Sequence, residues 1–152
     1  MLSLMLFPTP PLNTQKSKTQ TALGPTKRAR ISIRNEFWWF DDPYRNRSIC
    51  LDPLFNGCAW NLGRLAKHLG VGDRTLARII EESIGINGKT WLRNVRIVRA
   101  SHLLRESPKI EALARTLGFS QHSDLTREFK KLVGVLPSEF QKQERKRAFL
   151  PE

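Results

Sequence analysis

Apolar residues recur at helical spacing twice along the chain, at 62, 65, 66 and 69 and again at 110, 113, 114 and 117, and a glycine follows each set. This i, i+3, i+4, i+7 pattern lays one apolar stripe along a short helix. The residues are Leu62, Leu65, Ala66 and Leu69, then Ile110, Leu113, Ala114 and Leu117, so a shift of 48 keeps the residue class at every position and carries Gly70 onto Gly118. So close a repeat predicts one structural unit used twice. Gly70 and Gly118 supply the left-handed backbone at which a helix can stop and turn. A second helix should follow each glycine, capped by Gly72 or Asp73 in the first copy and by a polar residue among 120–123 in the second. Its inward residues are Leu76, Ile79 and Ile80, then Leu125 and Phe129. Past the turn the shift becomes 49, as from 80 to 129, so the second turn is one residue longer.

Each copy therefore has the pattern of a helix-turn-helix, and two readings of that pattern stand at this point: a nucleic-acid reading unit, or an ordinary helical hairpin in an all-helical core. Between the copies, Trp91, Leu92, Val95, Val98, His102 and Leu103 recur at helical spacing, with Arg93, Arg96, Arg99 and Arg105 mostly on other faces. A continuous helix over residues 89–106 would be roughly 27 Å long. It would be a strut able to hold two helices about one DNA turn, ~34 Å, apart once helix widths are added. Pro108 should end it. Its arginines either touch phosphates or merely solubilise the helix.

The front of the chain lacks such periodicity. Residues 1–11 are apolar but have no basic start and are cut by prolines, so they predict neither a signal peptide nor a bilayer span. Residues 1–26 read as a flexible tail and 27–60 as a basic, aromatic and largely irregular extension. Residues 61–143 read as the helical domain and 144–152 as a basic tail. Lys27, Arg28, Arg30 and Arg34 form a basic cluster that either lies along a minor groove or is a solvated linker. Phe37, Trp38, Trp39 and Phe40 are costly to leave wet, so they should pack on the helical domain or on a partner. Pro43, Pro53 and Gly57 argue against a long helix before Trp60.

Charge changes the weight of the readings. The 152 residues hold 26 Lys and Arg against 14 Asp and Glu, a formal net charge of +12. That excess suits a polyanion, nucleic acid or an acidic membrane surface. The outward residues of the second helix of each copy are of the types that reach base edges and phosphates in a major groove. They are Arg74, Thr75, Ala77 and Arg78 in the first copy, and Gln121, His122, Ser123, Thr126, Arg127, Lys130 and Lys131 in the second. Arg74 and Arg78, four apart, share one helix face. With 39% hydrophobic residues the chain has material for a core.

Other chemistries find no pattern. Cys50 and Cys58 have seven residues between them and no nearby histidine pair, which does not resemble a zinc site, so both read as reduced thiols. His68, His102 and His122 are scattered. No glycine-rich phosphate loop, paired carboxylates or nucleophile elbow is present, so no enzyme, cofactor or metal is expected.

Residues 61–143 resemble the DNA-binding domain of AraC/XylS-type transcriptional regulators. The resemblance rests on LGRLAKHLGVGDRTLARIIEESIG, on WLRNVRIVRASHLLRES, and on LARTLGFSQHSDLTREFKKLVGVLPSEF with Gly134, Pro137 and Phe140 at its close. It implies an all-α fold of seven helices, two helix-turn-helix (homeodomain-like) subdomains joined by a long linker helix, of which a monomer can read adjacent major-groove segments. It further implies base or phosphate contacts from Arg74, Ala77 and Arg78, and from His122, Ser123, Thr126 and Arg127. The expected partner is double-stranded DNA, with RNA polymerase as a candidate second partner, no membrane, and a bacterial, cytoplasmic setting. Three departures stand out: the helix ahead of Leu62 is weak, Ala77 replaces a longer polar residue, and Asp124 puts a carboxylate near phosphates. Sixty front residues are also too few for the family's ligand-sensing β-barrel, so the expectation is a regulator acting without a small-molecule effector, or a truncated remnant.

Overall fold

Alternation, not helical spacing, governs the front of the chain. The computed structural model describes residues 28–106 and 108–149, so the tail read at 1–26 lies outside the described residues, as do Lys27 and residues 150–152. Three antiparallel strands come first, β1 (Arg30–Arg34), β2 (Phe37–Asp42) and β3 (Arg47–Cys50), in the order β1-β2-β3. Ile31 pairs with Phe40 and Ile33 with Trp38, while Phe40 pairs with Ile49. Trp38 and Phe40 are buried, whereas Phe37 is exposed and Trp39 half-buried beneath the Arg34 guanidinium. The extension is thus not largely irregular, and the fold is not purely helical. Four consecutive aromatics hide the two-residue period of a strand, because they are apolar on both faces. The turn at 35–36 is equally well hidden: Asn35 and Glu36 take φ of 51° and 68°, the geometry of a two-residue hairpin loop that more often carries Asn-Gly.

Seven helices follow among the described residues: α1 (Asp52–Gly57), α2 (Leu62–Leu69), α3 (Asp73–Ile84), α4 (Gly88–Leu104), α5 (Ile110–Thr116), α6 (His122–Val133) and α7 (Pro137–Phe149). The helix ahead of Leu62, weak on sequence grounds, is the six-residue α1 with Pro53 in its first turn. Residues up to Phe149 continue α7.

Two compact units divide the chain between Trp91 and Leu92. In the unit before that boundary, β1 packs against α3, and the backbone N–H of Ile31 donates to the Ser83 hydroxyl at 3.0 Å. Trp38 meets Trp91 edge-on at 5.2 Å between ring centres, and Phe55 approaches Trp91 at 6.0 Å. Trp91 is fully buried, and its indole N–H has no acceptor among the described residues. Gly88 lies close to two side-chain ends: a Cβ there would be 2.7 Å from Leu62 Cδ2 and 3.2 Å from Ile80 Cδ1, so those ends would have to shift.

In the unit after the boundary, Phe129 of α6 meets Phe140 of α7 edge-on at 5.5 Å. The Gln141 amide donates to the carbonyls of Leu104 and Pro108 at 3.4 and 3.2 Å, and Arg105 pairs with Glu144 at 3.0 Å.

The helix α4 runs unbroken across the boundary and ends at Leu104, earlier than Pro108 by itself requires. Trp91, Leu92 and Val95 are buried as expected, but Val98, His102 and Leu103 are only half-buried. Asn94, Ile97, Ala100, Ser101 and Leu104 are buried instead. A helix covered on more than one side has no single stripe to read.

Candidate nucleic-acid interface

The repeat seen in the sequence reaches individual hydrogen bonds. Val71 N–H donates to the Ala66 carbonyl at 3.0 Å, and Phe119 N–H donates to the Ala114 carbonyl at 2.9 Å. Gly70 and Gly118, at φ 67° and 71°, permit this closing bond in each helix pair. Asn61 caps α2 by accepting from Arg64 N at 3.0 Å. Neither α3, preceded by Gly72, nor α6, preceded by Gln121, has a side-chain cap, although the Asp124 N–H of α6 donates to the Gln121 backbone carbonyl at 3.1 Å.

On α3, Arg74, Thr75 and Arg78 are exposed and Ala77 is half-buried. Leu76, Ile79 and Ile80 are buried, which fixes the opposite face outward. Among the described residues neither Arg74 nor Arg78 has an acidic partner in ion-pair range, so their guanidinium groups are available to an external anion.

On and before α6, Gln121, His122, Ser123, Arg127, Lys130 and Lys131 are exposed and Thr126 is half-buried, with Leu125 and Phe129 turned inward. The Thr126 hydroxyl donates to the His122 carbonyl at 3.0 Å, and Ser123 lies 3.4 Å from the Gln121 amide oxygen. Asp124 accepts from Arg127 at 2.9 Å. The carboxylate is therefore partnered by an arginine of its own helix, while its place in the first turn also suits the helix dipole.

The linker arginines differ from one another. Arg96 is half-buried: its Nε–H donates to the Leu117 carbonyl at 2.8 Å, and its guanidinium lies over the Phe119 ring. Burial pushes its pKa below the ordinary value, and the Glu128 charge restores part of the loss. Arg93 pairs with Glu128 at 3.8 Å and Arg105 with Glu144. Of the arginines expected to reach phosphates or solvent, Arg96 at least is committed to the protein interior.

Beside α3, sequence reasoning singled out Arg28 as part of a basic cluster but missed Tyr44 and Arg45. Arg28, Tyr44 and Arg45 line a cleft of about 370 Å³ together with Thr75 and Arg78. Arg45 Nη1 donates to the Gly70 carbonyl at 3.0 Å, and Arg47 donates to the Leu69 carbonyl. Donors from the turn after β2 and from the first residue of β3 thus satisfy the carbonyls at the end of α2. The run Asp42, Pro43, Tyr44, Arg45, Asn46 has turn composition, but only with the flanking strands recognised does it point toward α3.

No metal set gathers among the described residues, and no helix there is long and apolar enough to cross a membrane. Both cysteines are free, and burial raises the Cys58 thiol, only partly offset by the charge of Arg64.

A family model described as a helix-turn-helix domain matches residues 65–143. The HTH-type transcriptional regulator RipA of Corynebacterium glutamicum is 35% identical over 80 residues, covering 53% of this chain and 24% of that protein. The arabinose operon regulatory protein of Escherichia coli is 29% identical over 82 residues, covering 53% and 28%. The chain thus aligns with about a quarter of the length of these relatives. Among solved structures, an AraC-type transcriptional regulator from Chromobacterium violaceum superposes with a TM-score of 0.54 at 22% identity, over 60% of this chain and 86% of that one. The C-terminal domain of AraT, a response regulator from Geobacillus stearothermophilus, reaches 0.50 at 27% identity, over 55% and 69%. With the repeated helix pairs, the outward basic residues and a family match over more than half its length, this chain belongs to the AraC/XylS family of helix-turn-helix regulators.

Proposed function

We propose that this protein is a non-enzymatic, sequence-specific DNA-binding transcription regulator whose residues 61–143 form the reading domain. In this reading α3 and α6 enter successive major-groove segments of one duplex. Arg74, Arg78 and Arg127 make the strongest base or phosphate contacts, supported by Thr75, Gln121, His122, Ser123 and Thr126. Lys130 and Lys131 neutralise backbone charge. The observation that carries it is the matched exposure of basic and polar side chains on the second helix of each glycine-hinged pair, set against buried Leu76, Ile79 and Ile80 or Leu125 and Phe129. One relative is named an HTH-type transcriptional regulator and another an operon regulatory protein, which agrees with it.

The test is selection of bound duplexes from a random pool, followed by binding of Arg78→Ala and Arg127→Ala to the selected site and to unrelated DNA at fixed salt. Loss of a guanine contact costs ~1–3 kcal/mol on the selected site and much less on unrelated DNA. A pool that yields no preferred sequence would reduce the protein to a general polyanion binder.

A further inference from the structure

Residues 43–46, the turn between β2 and β3, lie outside the segment matched by the family model, yet they sit against the turn that precedes α3. Tyr44 is 77% exposed, although a tyrosine usually buries its ring. Arg45 is held in place from two sides: its guanidinium donates to the Gly70 carbonyl at 3.0 Å and lies 4.0 Å from the Asp42 carboxylate. Asp42 is buried and also accepts the backbone N–H groups of Tyr44 and Arg45 at 3.2 and 3.3 Å, so the turn is braced from below rather than hanging free. More than half of the Arg45 side chain nevertheless remains open to solvent. Thr75 and Arg78 of α3 line the same cleft as Tyr44 and Arg45, and so does Arg28. Glu82 lies in the same cleft, one helical turn past Arg78.

We propose that this turn, with Arg28, is an additional DNA-binding element that grips the phosphate backbone bordering the groove entered by α3. The inference rests on the proposed reading of α3 and deepens it. A helix read by its N-terminal half lies between two phosphate strands. A braced loop beside that half, carrying one arginine and an exposed tyrosine, with Arg28 lining the same cleft, presents the residue types that hold phosphate oxygens and set register. Because Arg45 also bonds the α2 terminus, backbone contact at the turn would fix the pose of the helix pair directly.

The experiment measures affinity against salt concentration for the full chain on a random-sequence duplex, which needs no operator. Each phosphate contact removed should lower the slope of log K against log salt by about 0.9. Arg28→Ala and Arg45→Ala should each lower it by about one contact, and the double variant by about two. Lys142→Ala, which removes the same charge from α7, should leave the slope unchanged. Because Arg45→Ala also removes a bond to Gly70, its helical signal and melting are checked; if it unfolds, the slope of Arg28→Ala decides between grip and no grip. On a duplex recovered by the selection described above, hydroxyl-radical footprints should show backbone protection in the wild type that the double variant lacks. Unchanged slopes in both single variants would overturn the proposal. So would tighter binding, which would mean that the turn obstructs α3. If the wild type prefers no sequence while the slopes fall as stated, the base-reading role of α3 fails and the backbone grip survives.

Discussion

The guanidinium carbon of Arg96 lies 3.6 Å from the centre of the Phe119 ring. The same side chain donates to the Leu117 carbonyl, so one arginine of the long helix holds the residues on both sides of Gly118. A charged hydrogen bond and a half-buried cation–π contact together stabilise by about 2–4 kcal/mol. Arg96→Ala should lower unfolding free energy by roughly that amount, and Arg96→Lys by nearly as much, because an ammonium lacks the planar fork that stacks and donates at once. Urea denaturation checks this; a loss within ~0.5 kcal/mol, ordinary for a surface change, would contradict it.

The turn joining β1 and β2 stores strain at one residue. Glu36 has φ 68°, where a Cβ crowds the following carbonyl. Glycine relieves roughly 1–2 kcal/mol of that crowding but adds up to about 1 kcal/mol of unfolded-state entropy. Glu36→Gly should therefore raise stability by ~0.5–1 kcal/mol, and Glu36→Val, stiff at χ1 and branched at Cβ, should lower it. Paired melts of the two variants would decide.

On the outer face of the sheet, Asp41 accepts from Arg34, Ser48 and Ser32. Burial alone would raise its carboxyl, but the Ser48 and Arg34 hydrogen bonds and the Arg34 charge outweigh that and hold it below the ordinary carboxylate range. A carboxyl whose folded-state pKa is depressed contributes stability above its unfolded-state pKa, and that contribution is lost as pH falls through the folded-state value. Wild-type stability should thus fall more steeply than that of Asp41→Asn on acidification through and below the ordinary aspartate range. Parallel curves for the two proteins would refute the assignment.

Asp124 and Arg127 form an ion pair at 2.9 Å on the exposed start of α6, in which the Arg127 side chain is 75% exposed. Removing the carboxylate frees the arginine and adds net positive charge where DNA is proposed to bind. Asp124→Asn should tighten binding to unrelated duplex and steepen its salt dependence. Stability should drop by only ~0.3–1 kcal/mol from the lost dipole interaction in the first turn. Weaker binding to every duplex would show instead that Asp124 positions Arg127 productively.

Helices α2, α3, α5 and α6 were legible because each buries a single stripe, and a single stripe writes its period into the chain. Leu65, Ala66 and Leu69 and their partners 48 residues later are buried as the spacing predicts, and the two glycines have the left-handed φ their positions demand. The outward sets on α3 and α6 followed from the same periodicity, since what is not on the stripe is left to solvent.

Local pattern by itself thus determined the helix pairs, their glycine hinges and most of the side chains they leave outside, although Ala77 and Thr126 are half-buried. Tertiary structure decided what depends on neighbours distant in sequence. The alternation of Trp38 and Phe40 against Phe37 and Trp39 becomes visible only when β1 and β3 pair with β2. The inward turn of Arg96 needs the Leu117 carbonyl and the Phe119 ring, and the placement of Tyr44 and Arg45 beside α3 needs a sheet that carries residue 45 to residue 70. Periodicity is a property of one segment facing one environment, whereas a long arginine's partner is set by whichever carbonyl or ring the rest of the chain brings within reach.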